Sequence, residues 1–183
     1  MKLPNIKILD EVDKRLRKVS KEVTFPLSKE DKENVQDMIT YLTMSQIEEY
    51  AKKYDLRAGM GLAYVQIGIP KRIFVIVEEL EDETFKNYII INPKIISHSE
   101  EMIYVGEGEG CLSINREVEG IVPRYARITV EAQDLDGNSF RVRVREDIAI
   151  AFQHEIDHLN GILFIDKIDP KNPFKDAQKY REI

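Results

Sequence analysis

The sequence predicts an α+β fold in which antiparallel β-sheets pack around a central buried helix, with a further helix near the N-terminus. Three observations carry that expectation. Residues 72 to 145 hold four segments rich in β-branched and aromatic residues. Between the last two sits "DLDGN", whose Asp136-Gly137 pair signals a tight antiparallel hairpin. At 146 the period turns helical, in a segment that is apolar almost all the way round and therefore has to be buried.

Taken in order, residues 1–27 show no clear period, and "RLRKVSKEV" reads as a basic, partly extended lead-in. "SKEDKENVQDMITYLTMSQIEEYAKKY" reads as helix. Ser28 followed by Asp31 forms an N-terminal cap of the S-x-x-D kind. Val35, Met38, Ile39 and Leu42 share one face at helical spacing. Residues 41–54 continue that helix or form a second one. "RIFVIVEE" (72–79) and "NYIIINPKIIS" (87–97) read as strands. "ARITVEAQ" alternates Ile128, Val130 and Ala132, and "SFRVRVR" alternates Phe140, Val142 and Val144. In "EDIAIAFQHEIDHLN" (146–160), Ile148, Ala149, Ile150, Ala151, Phe152, Ile156 and Leu159 nearly encircle the helix, and Gly161 is placed to end it. The tail from Asp166 has two prolines and no clear period.

A chain of 183 residues, 43% apolar and 33% charged, suits one globular domain over residues 1–183. A core of that size needs no staples. The single cysteine excludes an internal disulfide framework and suits a reducing cytosol. The N-terminal segment lacks the apolar core and cleavage site of a signal peptide. No run approaches the ~18 apolar residues of a membrane span. The expected location is therefore cytoplasmic, with no membrane partner. The formal net charge of -6 argues against a general nucleic-acid binder, and no direct nucleic-acid specificity is expected.

The buried helix carries His154, Glu155 and His158, two of the chain's three histidines four residues apart. Positions i and i+4 lie on one helical face, so both imidazoles can converge on one metal ion. Glu155 sits where a carboxylate can hydrogen-bond a water on that ion. Two imidazoles and two carboxyls in an apolar helix are costly unless something compensates them, and a divalent cation does so better than a mere polar pair.

An open catalytic site needs a third protein ligand. In "HEIDHLNGILF", Phe164 stands where a third histidine of the pattern H-E-x-x-H-x-x-G-x-x-H would fall. Glu182 is the only glutamate after the motif and lies far down the tail. Asp166 is close in sequence but not evidently on the right side, and His98 ends a strand and reads as a surface residue. Cys111, the only cysteine, remains. A thiolate with two imidazoles suits a first-row transition metal.

Three stretches together resemble the peptide deformylase family. "GMGLAYVQ" (59–66) is similar to its first motif, "EGCLS" (109–113) to its second and "QHEIDHLNG" (153–161) to its third, in the family's order and spacing. The likeness runs from "LRKVSKEV" to "LFIDKI". The insert at 41–58 and the proline-containing tail resemble the type 2 bacterial subclass, whose chain ends in a strand.

The resemblance implies a hydrolase that removes the formyl group from N-formylmethionyl nascent peptides and releases formate, working near the exit tunnel of the ribosome. Cys111, His154 and His158 would bind one divalent metal ion, Fe(II) in the cell, with Zn, Ni or Co able to replace it in the purified protein. A metal-bound hydroxide would attack the formyl carbon. Glu155 would act as general base and then acid. The Leu112 backbone N–H and the Gln66 carboxamide would stabilise the oxyanion. The substrate would lie extended along the first motif as an added strand, with Gly59 and Gly61 permitting close approach. Met60, Ile150 and Ala151 would form the methionine pocket, with Glu109 at its edge. Gly110 would let the chain turn tightly beside Cys111, and Asp157 would pair with Arg124 of "VPR".

The chain departs from the family pattern at Tyr64 and Val65, where alanine and proline are usual. Tyr64 is expected either to repack the core beneath the first motif or to reshape the cleft, changing rate or preference. Two other readings compete. An H-E-x-x-H metallopeptidase lacks its usual third ligand here. A non-catalytic metal- or peptide-binding domain would close a structural site with four ligands, and only three are evident.

Overall fold

The computed structural model describes residues 1–183 and has the α+β architecture that the periodicities predict. The helical stretch after Ser28 divides into α1 (Lys29–Gln46) and α2 (Glu48–Tyr54). The break falls at Ile47, which takes an extended conformation, φ -90° and ψ 115°. Ser28 caps α1 as expected, its Oγ accepting the Asp31 N–H at 3.0 Å. Eight strands and a third helix follow. They are β1 (Gly61–Ala63), β2 (Ile73–Glu79), β3 (Phe85–His98), β4 (Met102–Tyr104), β5 (Arg124–Tyr125), β6 (Arg127–Gln133), β7 (Ser139–Arg145), α3 (Glu146–Leu159) and β8 (Arg181–Glu182).

One sheet has the order β1-β2-β3-β6-β7, every neighbouring pair antiparallel. A second, smaller sheet has the order β5-β4-β8, with β8 parallel to β4. The tail without a period thus ends in a strand. Residues Ile73 to Val77 are buried on both faces, which explains why "IFVIV" is a continuous apolar run rather than an alternating one.

The two faces of the larger sheet meet different helices. On one face Phe74, Ile76, Ile90, Val130 and Val144 pack against Ile148 and Phe152 of α3. The Phe152 ring meets Phe74 and Tyr88 edge-on, each at 5.4 Å between centroids. On the other face Leu62, Ile73, Val75 and Val77 pack against Val35, Met38 and Leu42 of α1. Gly161, at φ +73°, ends α3 as expected.

Beyond β3 the outer face is open. Arg127 of β6 pairs in register with Arg145, and Thr129 with Arg143. Arg141, Arg143 and Arg145 stand exposed at alternate positions of β7, the terminal strand of the sheet.

Tyr64 belongs to the α1 side and is completely buried. Its hydroxyl donates toward the Asp31 carbonyl and the Asp31 Oδ1, both at 3.1 Å. Lys71 Nζ lies 2.7 Å from the other Asp31 oxygen. Burial raises the Tyr64 pKa, and the neighbouring Asp31 adds to that effect, so the phenol stays protonated as a donor. Tyr64 therefore repacks the core, and the expectation that it alters the cleft lapses because its side chain does not line it.

Candidate active site

Three of the site's parts arrive on a helix and the fourth on a turn. The helix α3 presents His154, Glu155 and His158, all buried. Cys111 opens a four-residue turn, closed by the Ile114 N–H donating to the Cys111 carbonyl at 3.0 Å. One donor atom each from Cys111, His154 and His158 lies within 4.8 Å of the others. Cys111 Sγ is 3.4 Å from His158 Nε2. The other residues weighed as third ligand stand elsewhere. His98 is exposed and stacks on Tyr125 at 3.8 Å, Asp166 pairs with Arg17, and Glu182 reaches the Tyr104 hydroxyl.

One of the two histidines is oriented from behind. His154 Nδ1 contacts Glu109 Oε1 at 2.8 Å, which frees Nε2 for the cluster. Arg124 takes both Glu109 oxygens, Nε at 2.7 Å and Nη2 at 2.9 Å, and reaches Asp157 with Nη1 at 2.7 Å. The Asp157–Arg124 pair is the expected one. Glu109 lines the cavity with Met60, Ile150 and Ala151, but its carboxylate is 4% exposed and engaged by Arg124 and His154. Burial would raise the Glu109 pKa, but the hydrogen bonds from His154 and Arg124 outweigh it and hold the group at about 2.

Burial pushes the Glu155 carboxyl up to about 7. Its Oε2 has no hydrogen-bond partner in the protein, and neither has His158 Nδ1. Burial lowers the His158 pKa well below the ordinary value, which keeps the imidazole neutral, the form that ligates. Burial acts the same way on His154, but its contacts to Cys111 and Glu109 outweigh it and raise that pKa. One sulfur, two imidazole nitrogens and a free buried carboxylate beside them fit an open transition-metal site.

A cavity of about 460 Å³ opens onto this cluster. Gly59, Met60, Gly61 and Gln66 line it from the first motif, Glu109 to Leu112 from the second, and Ile150, Ala151, His154 and Glu155 from α3. All the residues predicted to bind substrate are thus brought together. A Cβ at Gly61 would sit 2.5 Å from Glu155 Oε1, and one at Gly59 would sit 2.7 Å from Leu112 Cδ1. Both glycines are there for close approach. Gly110 is not used for a tight turn: nothing lies within 4 Å of an added Cβ, and the positive φ of this loop belongs to Gly108, at +86°. Arg57 and Asp147 also line the cavity and had no signal in the sequence.

The two predicted oxyanion donors differ in their present bonding. Gln66 accepts the Ala63 N–H with Oε1 at 2.8 Å and donates Nε2 to Ser113 Oγ at 3.0 Å, with Cys111 Sγ at 3.6 Å. The Leu112 N–H has no acceptor within the protein. The strand β1 is paired only on its β2 side, so its other edge is open.

The chain is similar to known proteins over most of its length. The sequence profile of the polypeptide deformylase family matches residues 6–174. The chain is 48% identical over 167 residues to Peptide deformylase 2 of Bacillus anthracis, covering 91% of each. It is 49% identical over 168 residues to Peptide deformylase 2 of Geobacillus stearothermophilus, covering 92% of this chain and 91% of that one. The crystal structure of peptide deformylase from Thermotoga maritima superposes with a TM-score of 0.71 at 34% identity, covering 90% of this chain and 98% of the other.

Proposed function

The chain belongs to the polypeptide deformylase family, and on that premise we propose that it hydrolyses the formyl group from N-formylmethionyl nascent peptides, releasing formate, as a type 2 bacterial enzyme. The observation that carries this reading is the buried Cys111–His154–His158 cluster with the unpartnered Glu155 carboxylate beside it. The 183 residues act as one catalytic domain.

Cys111 Sγ, His154 Nε2 and His158 Nε2 would hold one divalent first-row cation, Fe(II) in the cell. Such a cation supplies Lewis acidity and brings the pKa of water toward neutrality. Glu155, poised near 7, takes a proton from the attacking water and passes it to the leaving amine. The Leu112 N–H and the Gln66 Nε2–H face the oxygen of the formyl carbon as it gains charge. Gln66 keeps its carboxamide fixed through Ala63 and Ser113. The peptide pairs with the open edge of β1, and Gly61 leaves room between that edge and Glu155. Met60, Ile150 and Ala151 take up the methionine side chain. Arg124 and Glu109 hold His154 in the orientation that ligation needs.

Family membership supports a place of action on nascent chains at the ribosome, in the cytoplasm. No helix is long and apolar enough to cross a membrane. The test is formate release from formyl-Met-Ala-Ser by protein purified without oxygen and loaded with Fe(II) or Ni(II). Release is expected from this peptide and no hydrolysis from acetyl-Met-Ala-Ser. Absence of release from the loaded protein would overturn the assignment.

A further inference from the structure

We propose that Arg57 is a positioning residue for the reaction, because its guanidinium locks the plane of the Cys111–Leu112 peptide so that the Leu112 N–H faces the cleft. The inference rests on the deformylase reading, in which that N–H serves the oxyanion.

Arg57 Nη2 donates to the Cys111 carbonyl at 2.8 Å, and Nη1 donates to the Ile114 carbonyl at 2.7 Å. One planar guanidinium therefore spans both ends of the turn that begins at the thiol. The fork fixes the spacing and the direction of the two carbonyls together, which a lysine ammonium cannot do. No acidic group lies within ion-pair distance of Arg57, so its charge is spent on these two dipoles.

The Cys111 carbonyl and the Leu112 N–H belong to one peptide unit. That unit is planar and trans, so its C=O and N–H point in opposite directions. Fixing the oxygen fixes the hydrogen. The Cys111 oxygen accepts from Arg57 and from the Ile114 N–H, and the opposite end of the unit, the Leu112 N–H, is left without a protein acceptor in a cavity-lining position. Rotating the unit would break both bonds and turn a carbonyl oxygen toward the place where negative charge develops. A cationic donor on the carbonyl also polarises the peptide and strengthens its N–H as a donor.

The neighbouring groups are pinned too, and Arg57 adds to the Ile114 N–H the second bond that holds the peptide plane. Ser113 is held through its Oγ by Gln66 and through its carbonyl by the Glu11 N–H at 2.7 Å. The Leu112 side chain lies under Gly59. Gly59 is tied to α1 by its N–H to Ser45 Oγ at 3.1 Å and by Gln46 Nε2 on its carbonyl at 3.0 Å. Arg57 thus reaches the turn from a backbone anchored two residues on.

The alternative is that Arg57 merely staples the loop for stability, and the two roles separate in solution. In the full chain loaded with Ni(II), Arg57→Met should lower kcat for formyl-Met-Ala-Ser by about 10²-fold, the scale of losing one oxyanion donor. KM should change much less than kcat, because Arg57 lines the cavity but its guanidinium is engaged by the two carbonyls rather than free for substrate. Metal content should be unchanged, and Arg57→Lys should recover only part of the rate. In the zinc-loaded protein, the Leu112 amide resonance in a ¹H–¹⁵N spectrum should shift or broaden in Arg57→Met, while amides of β2 and β3 stay in place. Wild-type kcat in Arg57→Met, or a rate loss that tracks lost metal or lost thermal stability with the Leu112 amide unmoved, would overturn the proposal. An inactive wild-type protein would instead sink the deformylase reading, and the amide spectrum would still decide the role of Arg57 in the turn.

Discussion

Replacing Tyr64 separates its packing from any part in the cleft. Its ring is fully buried between the sheet and α1, and its hydroxyl bonds to Asp31. Tyr64→Phe keeps the ring and deletes the hydroxyl. The loss is one hydrogen bond to a buried, charged acceptor, about 1.5 kcal/mol, because Asp31 retains its contact with Lys71. Tyr64→Ala removes the ring as well, and a cavity of that size in a packed core costs about 4 kcal/mol. Urea unfolding measures both, read as a lower midpoint at constant slope. Deformylation by Tyr64→Phe should match wild type within about twofold, since the side chain does not reach the cavity. The reasoning fails if Tyr64→Ala unfolds within about 1 kcal/mol of wild type. It fails equally if Tyr64→Phe changes kcat/KM tenfold at unchanged stability.

Four further outcomes follow from the same contacts. Arg124→Met leaves Glu109 and Asp157 without their shared cation and should cost about 3–5 kcal/mol in urea unfolding, with weaker metal retention against a chelator. Glu155→Gln should lower kcat by about 10²–10⁴-fold while metal analysis shows a full site. Gly61→Ala drives a methyl into the Glu155 carboxylate and should cut kcat by about 10² with little change in unfolding. Asp31 carries the pH signature. Burial raises its pKa, but Lys71 and Tyr64 outweigh that and leave it below the ordinary 3.8. Its contribution is therefore complete above 3.8 and is lost as pH falls through the lower folded value, so the stability gap between wild type and Lys71→Met should close on acidification in that range.

The sequence made α3, the hairpin at Gly137 and the cluster on α3 legible because each has a strong local signature. Helical spacing brings His154 and His158 together without reference to the rest of the chain. Strands of two or three residues, β1, β4, β5 and β8, are too short to show a period, and their pairing is set by distant partners. The same distance hid the roles of individual side chains. Glu109 faces Arg124 and His154, 15 and 45 residues away, and no local pattern encodes that. Arg57 reaches carbonyls 54 and 57 residues on, which are main-chain groups with no identity in a sequence. Tyr64 was visible as an unusual residue, but its destination depends on where α1 lies.

The arginines of β7 bear on how molecules of this protein meet one another. A terminal strand offers unpaired backbone groups that can recruit another copy. Here Arg141, Arg143 and Arg145 line the edge at alternate positions, but Arg141 pairs with Glu131 at 3.0 Å, Arg145 lies 3.9 Å from Glu146, and Arg127 behind it pairs with Glu101 at 3.1 Å, so Arg143 carries the charge that no carboxylate of the chain offsets. Repulsion between two such unpaired charges acts over about 8 Å at physiological ionic strength, farther than the spacing of two paired strands. A second copy adding its own β7 at this edge would have to bring its Arg143 against this one, an opposition that added salt would weaken.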